Sequence, residues 1–384
     1  MASTIERRDF LRGAVALGAS WALVPRLAGG EPGSGGEWLA GDLHCHTIYS
    51  HDVWAPTGDD NTGEDEFYTY GWTATEQITN AEVRGLDFLA VTDHDDARWL
   101  SDGTFGDYAG LVTLVPGYEH SLRRGHAGCL GVMQTFEVDT SDEAGARALR
   151  DAVRAEGGIF ILNHPFYKNH PETGADGIPA WGYSPATVVP DSVEVWNISW
   201  PFRRPVFQGF ATSENYLSLP WWDAEFGGRG LRVPATGGSD NHWRSTAAAQ
   251  GVGQPTTWVY AEERTWRAVL DGIVAGRTFV SAEPPLLGGA QVFLEAERGT
   301  DRWMVGDAVP ASSGEVTVSA RVQGPGGLLR FVIDGEAGPL VPVAGAGQTA
   351  TVLVDAGSHT RVRAELLADQ GWWMIALTSP IYFG

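Results

Sequence analysis

The segment Gly41-Asp42-Leu43-His44-Cys45-His46 ends a short apolar run with two histidines that are separated by one residue. On a β-strand, residues i and i+2 project from the same face, so His44 and His46 can bind one ion, while Cys45 should point the other way. Three later segments also place ligand-type side chains after an apolar run: Val91-Thr92-Asp93-His94-Asp95, Asn163-His164-Pro165 and Ser239-Asp240-Asn241-His242. This repetition indicates a metal centre that is assembled from several strand ends.

The spacing of the apolar runs predicts strands that alternate with helices. The candidate strands end near His46, His94, Glu119, Met133, His164, Asn197 and Asp240. Helical patterns with N-terminal capping residues cover Thr75–Arg84, Ser141–Glu156 and Glu262–Ala275. Such alternation favours an α/β fold with a parallel sheet or barrel. A (β/α) barrel fits best, because these barrels place their chemistry at the carboxyl ends of the strands.

The sequence pattern changes after Pro284-Pro285. The later segments alternate apolar and polar residues and are separated by Gly, Pro and Asp: Glu315–Gln323, Leu328–Asp334, Ala350–Asp355, Arg361–Leu367 and Trp372–Leu377. This pattern predicts an all-β sandwich domain over residues 285–384, which follows a metal-binding domain over residues 31–284. The predicted sandwich has no cluster of ligand-type residues, so we expect it to serve in packing or docking.

The first 30 residues have the composition of an export signal. Arg7-Arg8 precede Phe10-Leu11, an apolar stretch runs from Ala14 to Val24, and small residues follow it. The paired arginines resemble a twin-arginine signal, so we expect export by the twin-arginine machinery to the periplasm or the cell exterior. The apolar stretch is shorter than the roughly 20 residues that span a bilayer. We therefore expect no transmembrane segment in the mature protein.

Composition limits the partners. The formal net charge is −22 at pH 7, and such an acidic surface disfavours nucleic acid and anionic membranes. The 384 residues have an apolar content of 43%, which is enough for one large domain and a smaller one. The two cysteines, Cys45 and Cys129, are compatible either with a disulfide or with two buried free thiols.

Further ligand-type residues lie near the same strand ends. Glu119 closes the strand that ends in Pro116-Gly117-Tyr118-Glu119, and its two carboxylate oxygens can bridge two ions. His126 begins the next predicted strand. Asp52 follows the first histidine pair and is placed for a further ion, with the neighbouring His51 as a rival.

Taken in order, the motifs LHCHT, VTDHDD, PGYEH, GHAGCLG, LNHPF and GSDNH resemble those of the PHP (polymerase and histidinol phosphatase) hydrolases. The export signal and the C-terminal β region are similar to the CehA/McbA-type branch. The resemblance implies a distorted (β/α)7 barrel with two or three divalent ions at its rim and Asp93 orienting a ligand imidazole. It implies three ligand sets: His44, His46, Glu119 and Asp240; Glu119, His126 and His164; and Asp52, His94 and His242.

Such a centre would activate a water for attack on a phosphoryl or carbonyl group. Mixed His and carboxylate ligands suit zinc, manganese or iron. His94 or His242, where not bound to an ion, could protonate the leaving group. Lys168 and Arg244 adjoin ligand segments and are candidates to bind a phosphate. The sequence therefore predicts a metal-dependent phosphoesterase that acts on a small phosphomonoester or phosphodiester.

Two alternatives stay open. Residues 181–226 are rich in aromatic side chains, which favours a carboxylester or carbamate hydrolase if they stack on a substrate at the rim. The same side chains can instead fill the core, as we expect for Trp196, whereas Trp221-Trp222 can serve either purpose. The second alternative is a non-catalytic glycan-binding surface protein, although a structural metal site needs only four ligands and this chain offers more.

Overall fold

The computed structural model describes residues 35–51, 71–107, 110, 112–166, 181–198, 215–242, 251–368 and 373–384. The predicted signal peptide and the candidate site residues Asp52, Lys168 and Arg244 lie outside these ranges. Within them, no helix combines the length and apolar character that a bilayer span requires.

The described α-helices are α1 (Ala74–Arg84), α2 (Thr104–Asp107), α3 (Glu143–Ala155), α4 (Asn215–Glu225) and α5 (Trp266–Val274). The strands of the first region are β1 (Glu37–Asp42), β2 (Phe88–Ala90), β3 (Thr113–Val115), β4 (Gly117–Leu122), β5 (Gly125–Leu130), β6 (Ile159–Asn163), β7 (Ser192–Asn197), β8 (Ala235–Gly238), β9 (Thr256–Ala261) and β10 (Thr278–Ser281). The later strands are β11 (Gln291–Arg298), β12 (Asp301–Met304), β13 (Ala308–Val309), β14 (Glu315–Gln323), β15 (Pro325–Ile333), β16 (Glu336–Ala337), β17 (Val341–Gly345), β18 (Gln348–Asp355), β19 (Arg361–Leu367), β20 (Met374–Thr378) and β21 (Ile381–Phe383).

Capping side chains decide where the three longest predicted helices begin. The Thr73 side chain accepts the Glu76 amide while the Glu76 carboxylate accepts the Thr73 amide, and this capping box starts α1. At the other two helices only the first kind of bond is present. The Asp142 side chain accepts the Gly145 amide at the start of α3, and the Thr265 side chain accepts the Ala268 amide at the start of α5. The observed starts differ from the predicted ones by one to four residues.

Strands β1 to β10 belong to two sheets, each of which contains parallel and antiparallel strand pairs. One sheet has the order β4-β5-β6-β7-β8, and the other contains the path β10-β9-β1-β2-β3. The predicted α/β class is confirmed, but a parallel sheet is present only in part, because β4, β5 and β6 are antiparallel. The two-residue link Arg123-Arg124 makes β4 and β5 antiparallel, since a parallel connection needs a long crossover. The connection from β5 to β6 is long and contains α3, so its length does not explain their antiparallel pairing.

Isolated bridges join the ends of these two sheets. Cys45, just past β1, pairs with Asn241, just past β8. His94, just past β2, pairs with Glu119 in β4. Both bridges lie within ligand-bearing segments, so the backbone pairing itself brings those segments side by side.

The C-terminal strands are continuous with the sheet of the first region. Burial along β14 alternates residue by residue as the sequence predicts, and β12, β11, β14 and β18 form a separate four-stranded sheet. Strand β20 instead pairs with β10, with Val280 opposite Leu377. The sheet therefore crosses residue 285, the predicted domain boundary.

Aromatic side chains of the described part of 181–226 pack into one core. Trp181, Trp196, Trp222 and Phe226 are all buried in the same apolar cluster. The prediction of a core position for Trp196 is confirmed. Trp222 also belongs to this core, and Trp221 packs against it in a partly buried position.

Candidate metal centre

Eight of the nine predicted ligand residues converge where the two bridges join the sheets; the ninth is Asp52, outside the described residues. They form four overlapping groups of three, and within each group one ligand atom per residue lies within 4.8 Å of the others. The groups are His44, Glu119 and His164; His44, His46 and Asp240; His94, Glu119 and His126; and His46, His94 and His242. Residues up to two hundred positions apart thus share one small volume.

Two histidines and two carboxylates lie close together at the first candidate ion site. The Nε2 atoms of His44 and His46 are 3.1 Å apart, and Asp240 Oδ1 lies 3.3 and 3.1 Å from them, respectively. Glu119 Oε2 lies 3.1 and 3.3 Å from the same two nitrogens. Tetrahedral ligands that are about 2.0 Å from an ion are about 3.3 Å apart. The spacing of the two histidines and Asp240 therefore fits ligands of one ion, and Glu119 Oε2 lies at similar distances from both histidines.

The carboxylate of Glu119 faces two different sets of imidazoles. Oε2 faces the first histidine pair and lies 3.3 Å from His94 Nδ1. Oε1 lies 3.2 Å from His164 Nε2 and 3.4 Å from His126 Nδ1, and it accepts a hydrogen bond of 2.8 Å from Asn163 Nδ2. Glu119 is completely buried. One oxygen toward each histidine set is the arrangement of a carboxylate that bridges two ions.

The remaining histidines lie on the more open side of the cluster. The rings of His46 and His242 stack with centroids 3.9 Å apart. His242 Nδ1 is 2.9 Å from the backbone oxygen of Asp240, so it carries the proton and leaves Nε2 available as a ligand. The ring of His51 lies 4.8 Å from that of His94, which places this rival of Asp52 beside the same group.

Glu194 orients His44, a role that the sequence analysis missed. Its Oε1 lies 3.0 Å from His44 Nδ1, and its Oε2 accepts the His164 amide at 2.9 Å. A carboxylate that holds the Nδ1 proton fixes the tautomer and leaves Nε2 to bind an ion. A signal was present, because Glu194 interrupts the apolar run Ser192-Val193-Glu194-Val195-Trp196 and a buried carboxylate requires a partner.

Asp93 does not orient an imidazole through the hydrogen bonds that the structure describes. It accepts the backbone amide and the hydroxyl of Thr47 instead. Adjacent strand residues face opposite sides, so Asp93 points toward the loop after His46 rather than along His94. The hydroxyl of Ser50 lies 2.9 Å from His46 Nδ1 and takes the predicted orienting role. Burial raises the pKa of Asp93 to about 6.

Asp42 fixes the backbone around two ligand segments. Its Oδ1 accepts the amides of His44 and Ser239, and its Oδ2 accepts the amide of Gly253 at 2.7 Å. The side chain is fully buried, and this burial raises its pKa. One carboxylate therefore ties together the segments that carry His44 and Asp240.

Two candidate ligand residues have left-handed backbone conformations. His164 has φ of 23° and Asp240 has φ of 48°. Side-chain-bearing residues rarely adopt this region, and such strain concentrates at functional sites. The Asp240 amide donates to the His44 carbonyl at 2.8 Å, which helps to hold the conformation.

The two cysteines are buried free thiols. Cys45 Sγ donates to the backbone oxygen of Ala90, and its side chain packs in an apolar cluster. This agrees with the expectation that Cys45 faces away from His44 and His46.

Charges of opposite sign stabilise each other in this cluster. Burial lowers the pKa of His44, but Glu119, Glu194 and Asp240 outweigh it and raise that pKa well above its ordinary value. Burial raises the pKa of Glu119, but His44, His94 and His126 hold it well below the usual range. The pKa of Asp240 is likewise lowered against the effect of burial, first by His44 and His242.

These pKa shifts predict that divalent-metal affinity increases with pH. The raised pKa of His44 stabilises the metal-free fold at low pH, and this contribution is lost as pH rises through the folded-state pKa. An ion must displace that proton. We expect the gain in Tm on adding Mn²⁺ or Zn²⁺ to chelator-treated protein to be larger at about pH 8 than at about pH 6. Thermal unfolding with and without metal at each pH measures it, and a gain that shrinks as pH rises contradicts the assignment.

No family model and no curated protein matches this chain. Solved structures do show similarity. One is a two-domain protein from Bacteroides vulgatus described as containing a predicted PHP-like metal-dependent phosphoesterase, with 13% identity, 90% of this chain and 96% of that chain covered, and a TM-score of 0.45. A candidate metal-dependent phosphoesterase from Bifidobacterium adolescentis has 15% identity, with 56% of this chain and 90% of that chain covered and a TM-score of 0.33. An amidohydrolase from Chromobacterium violaceum with bound sulfate and no metal has 16% identity, with 55% of this chain and 89% of that chain covered and a TM-score of 0.29.

Proposed function

We propose that the protein is a metal-dependent hydrolase, and more specifically a phosphoesterase of the PHP type and CehA/McbA branch that acts on a small phosphomonoester or phosphodiester. The position of Glu119 carries this proposal, because its two oxygens face separate imidazole sets at 3.1–3.4 Å. A structural site closes around one ion with four ligands. A buried carboxylate between two histidine sets instead suits a centre with several ions.

The chain's own side chains divide the work at this centre. His44, His46 and Asp240 would hold one ion with Glu119. His126 and His164 would complete a second site on the other Glu119 oxygen, and His94 and His242 a third with Asp52. Two or three divalent ions there, whether zinc, manganese or iron, would lower the pKa of a bound water and polarise the substrate oxygen.

Acid catalysis is assigned to histidines at the open side. The side chains of His126 and His242 are 21% and 11% exposed, while Glu119 is 0% exposed. His242 or His94, where not bound to an ion, is placed to donate a proton to the leaving group. Lys168 and Arg244 remain our candidates for a phosphate clamp, on the sequence argument alone.

The proposal includes a distorted (β/α)7 barrel. The isolated bridges Cys45–Asn241 and His94–Glu119 support it, because they link the segment after β1 to the segment after β8 and the segment after β2 to β4, which are the two contacts that a ring of these strands would need. We further propose a C-terminal β-sandwich and export through the twin-arginine pathway. The alternation along β14 supports the sandwich, and Arg7-Arg8 with the apolar stretch after them supports export.

The carboxylester or carbamate alternative has lost part of its support. It depended on aromatic side chains that stack on substrate, and Trp181 and Trp222 are core residues. A glycan-binding protein without activity remains the other alternative, with the metals serving structure.

A substrate panel tests the proposed reaction. We expect protein reconstituted with Mn²⁺, Zn²⁺ or Fe²⁺ to hydrolyse p-nitrophenyl phosphate or bis-(p-nitrophenyl) phosphate near neutral pH, and to lose this activity on chelation. Aryl acetates and aryl carbamates are assayed in parallel. Hydrolysis of only these would replace the phosphoesterase assignment with the ester or carbamate alternative. No hydrolysis with any metal, together with retention on cell-wall glycan, would favour the binding protein.

A further inference from the structure

Asn197, the last residue of β7, lies between two carboxylates of the metal centre. Its Nδ2 donates to Glu194 Oε2 at 3.2 Å and to Asp240 Oδ2 at 3.1 Å. The side chain is completely buried. The orientation of the amide follows from its neighbours, because an oxygen in that position would face two negatively charged groups.

Each of these carboxylates uses its other oxygen on the histidines. Glu194 Oε1 lies 3.0 Å from His44 Nδ1, and Asp240 Oδ1 lies 3.3 Å from His44 Nε2 and 3.1 Å from His46 Nε2. One NH₂ group therefore fixes both the orienting carboxylate and the ligand carboxylate. We propose that Asn197 is a positioning residue that sets the geometry of the first ion site, and that helix α4 and the C-terminal strand β19 hold it in place. The inference rests on the proposed metal centre.

The first residue of α4 fixes the backbone of Asn197. Asn215 Oδ1 accepts the Asn197 amide at 2.9 Å, and Asn215 Nδ2 donates to the Asn197 carbonyl at 2.8 Å. This reciprocal pair satisfies both main-chain groups of Asn197 at a point where β7 ends. Asn215 is itself buried, so the position of α4 determines the position of Asn197.

The other end of α4 is anchored to the C-terminal β region. Asp223 accepts Arg363 Nη2 at 2.8 Å, and its backbone oxygen accepts Arg361 Nη2 at 3.0 Å. Arg363 also pairs with Glu365, and its guanidinium lies 5.6 Å from the ring centre of Trp222. Arg363 is 3% exposed. Breaking one partner of a buried, hydrogen-bonded charge network is costly, so this anchor is rigid.

The C-terminal region therefore acquires a defined role that its sequence did not indicate. Arg361 and Arg363 hold Asp223, Asp223 fixes α4, and α4 presents Asn215 to Asn197. A second contact acts in the same direction, because the Ala235 amide at the start of β8 donates to Ser379 Oγ at 2.9 Å. Strand β8 leads directly to Asp240.

Cobalt binding to the full-length protein tests this proposal. We expect Asn197→Asp to weaken Co²⁺ binding about 10- to 100-fold and to change the visible absorption of the bound Co²⁺, because partners of ligand residues tune affinity and geometry. Asp223→Asn should change both in the same direction by a smaller factor. The double variant should lose less than the product of the two single losses, because both act on one network. Asn80→Asp, on α1, is the control and should match wild type.

The outcomes separate the inference from the proposed function. A residue with a purely structural role would lower the Tm of the metal-free protein without changing the Co²⁺ spectrum. Wild-type affinity and spectrum in a folded Asn197→Asp variant would overturn the positioning role. If Glu119→Gln still lost Co²⁺ binding in that case, the metal centre itself would keep its support. Should Asn197→Asp fail to fold, Asn197→Ser decides on the same two measurements. Wild-type protein that binds no Co²⁺ would overturn the metal centre and the inference together.

Discussion

Glu119→Gln should remove nearly all hydrolytic activity, with kcat lowered at least about 1000-fold while the protein stays folded. Glutamine keeps the size of the side chain but has one oxygen and no negative charge, so it cannot face both histidine sets as Glu119 does. Metal centres contribute several kcal/mol of transition-state stabilisation, and each 1.4 kcal/mol or so corresponds to a factor of ten in rate.

The experiment measures kcat, bound metal and Tm on the same preparations. Elemental analysis of protein purified without chelator should show less than the wild-type number of ions. Glu263→Gln, an exposed change of the same chemistry, should leave rate, metal content and Tm unchanged. A Glu119→Gln variant with wild-type rate and full metal content would show that the centre has been assigned to the wrong residues.

The residues that converge at the candidate metal centre were predictable because each carries a local signal. His44 and His46 have the i, i+2 spacing that puts two side chains on one face of a strand. Glu119, His164 and Asp240 follow apolar runs, and the end of a run marks where a strand emerges from the core. The structure brings these residues together, although no local pattern specifies which pairs are neighbours.

The residues that position the ligands could not be found in this way. Glu194 stands out only as a charge within an apolar run, and its partner His44 is 150 positions away. In the sequence Asn197 has no feature beyond its position at a strand end, because its contact with Asp240 exists only in the folded structure. Such partners are defined by tertiary contacts alone, so hydrophobic periodicity carries no information about them.

Strand direction was predicted less well, because it too depends on tertiary contacts. Periodicity identifies β5 as a strand but does not reveal that it runs antiparallel to β4 and β6. The two-residue turn after β4 dictates the first pairing, whereas no local signal in the long connection to β6 dictates the second. The change of pattern after Pro284-Pro285 is real, yet β20 pairs with β10 across it. A change in the sequence pattern along the chain therefore need not coincide with a break between hydrogen-bonded sheets.

Asp240→Asn should lower kcat at least about 100-fold and remove ions from the first site, because the change takes away the negative charge that faces His44 and His46 at 3.1–3.3 Å. This substitution isolates the effect of the carboxylate charge from effects on the backbone. Asp240 has φ of 48°, a left-handed conformation that asparagine also tolerates. The backbone should therefore keep its position, and the loss can be attributed to the carboxylate.

A second aspartate with the same backbone conformation provides the control. Asp334 has φ of 52° and accepts hydrogen bonds from Thr360 in the C-terminal region, so Asp334→Asn tests the left-handed conformation without touching the metal centre. It should lower Tm while kcat per folded molecule and metal content stay at wild-type values. Asp240→Asn should instead lower both kcat per folded molecule and metal content, because a neutral amide in place of the carboxylate binds a divalent cation more weakly. Equal metal content and equal kcat in the two variants would mean that Asp240 is not a ligand.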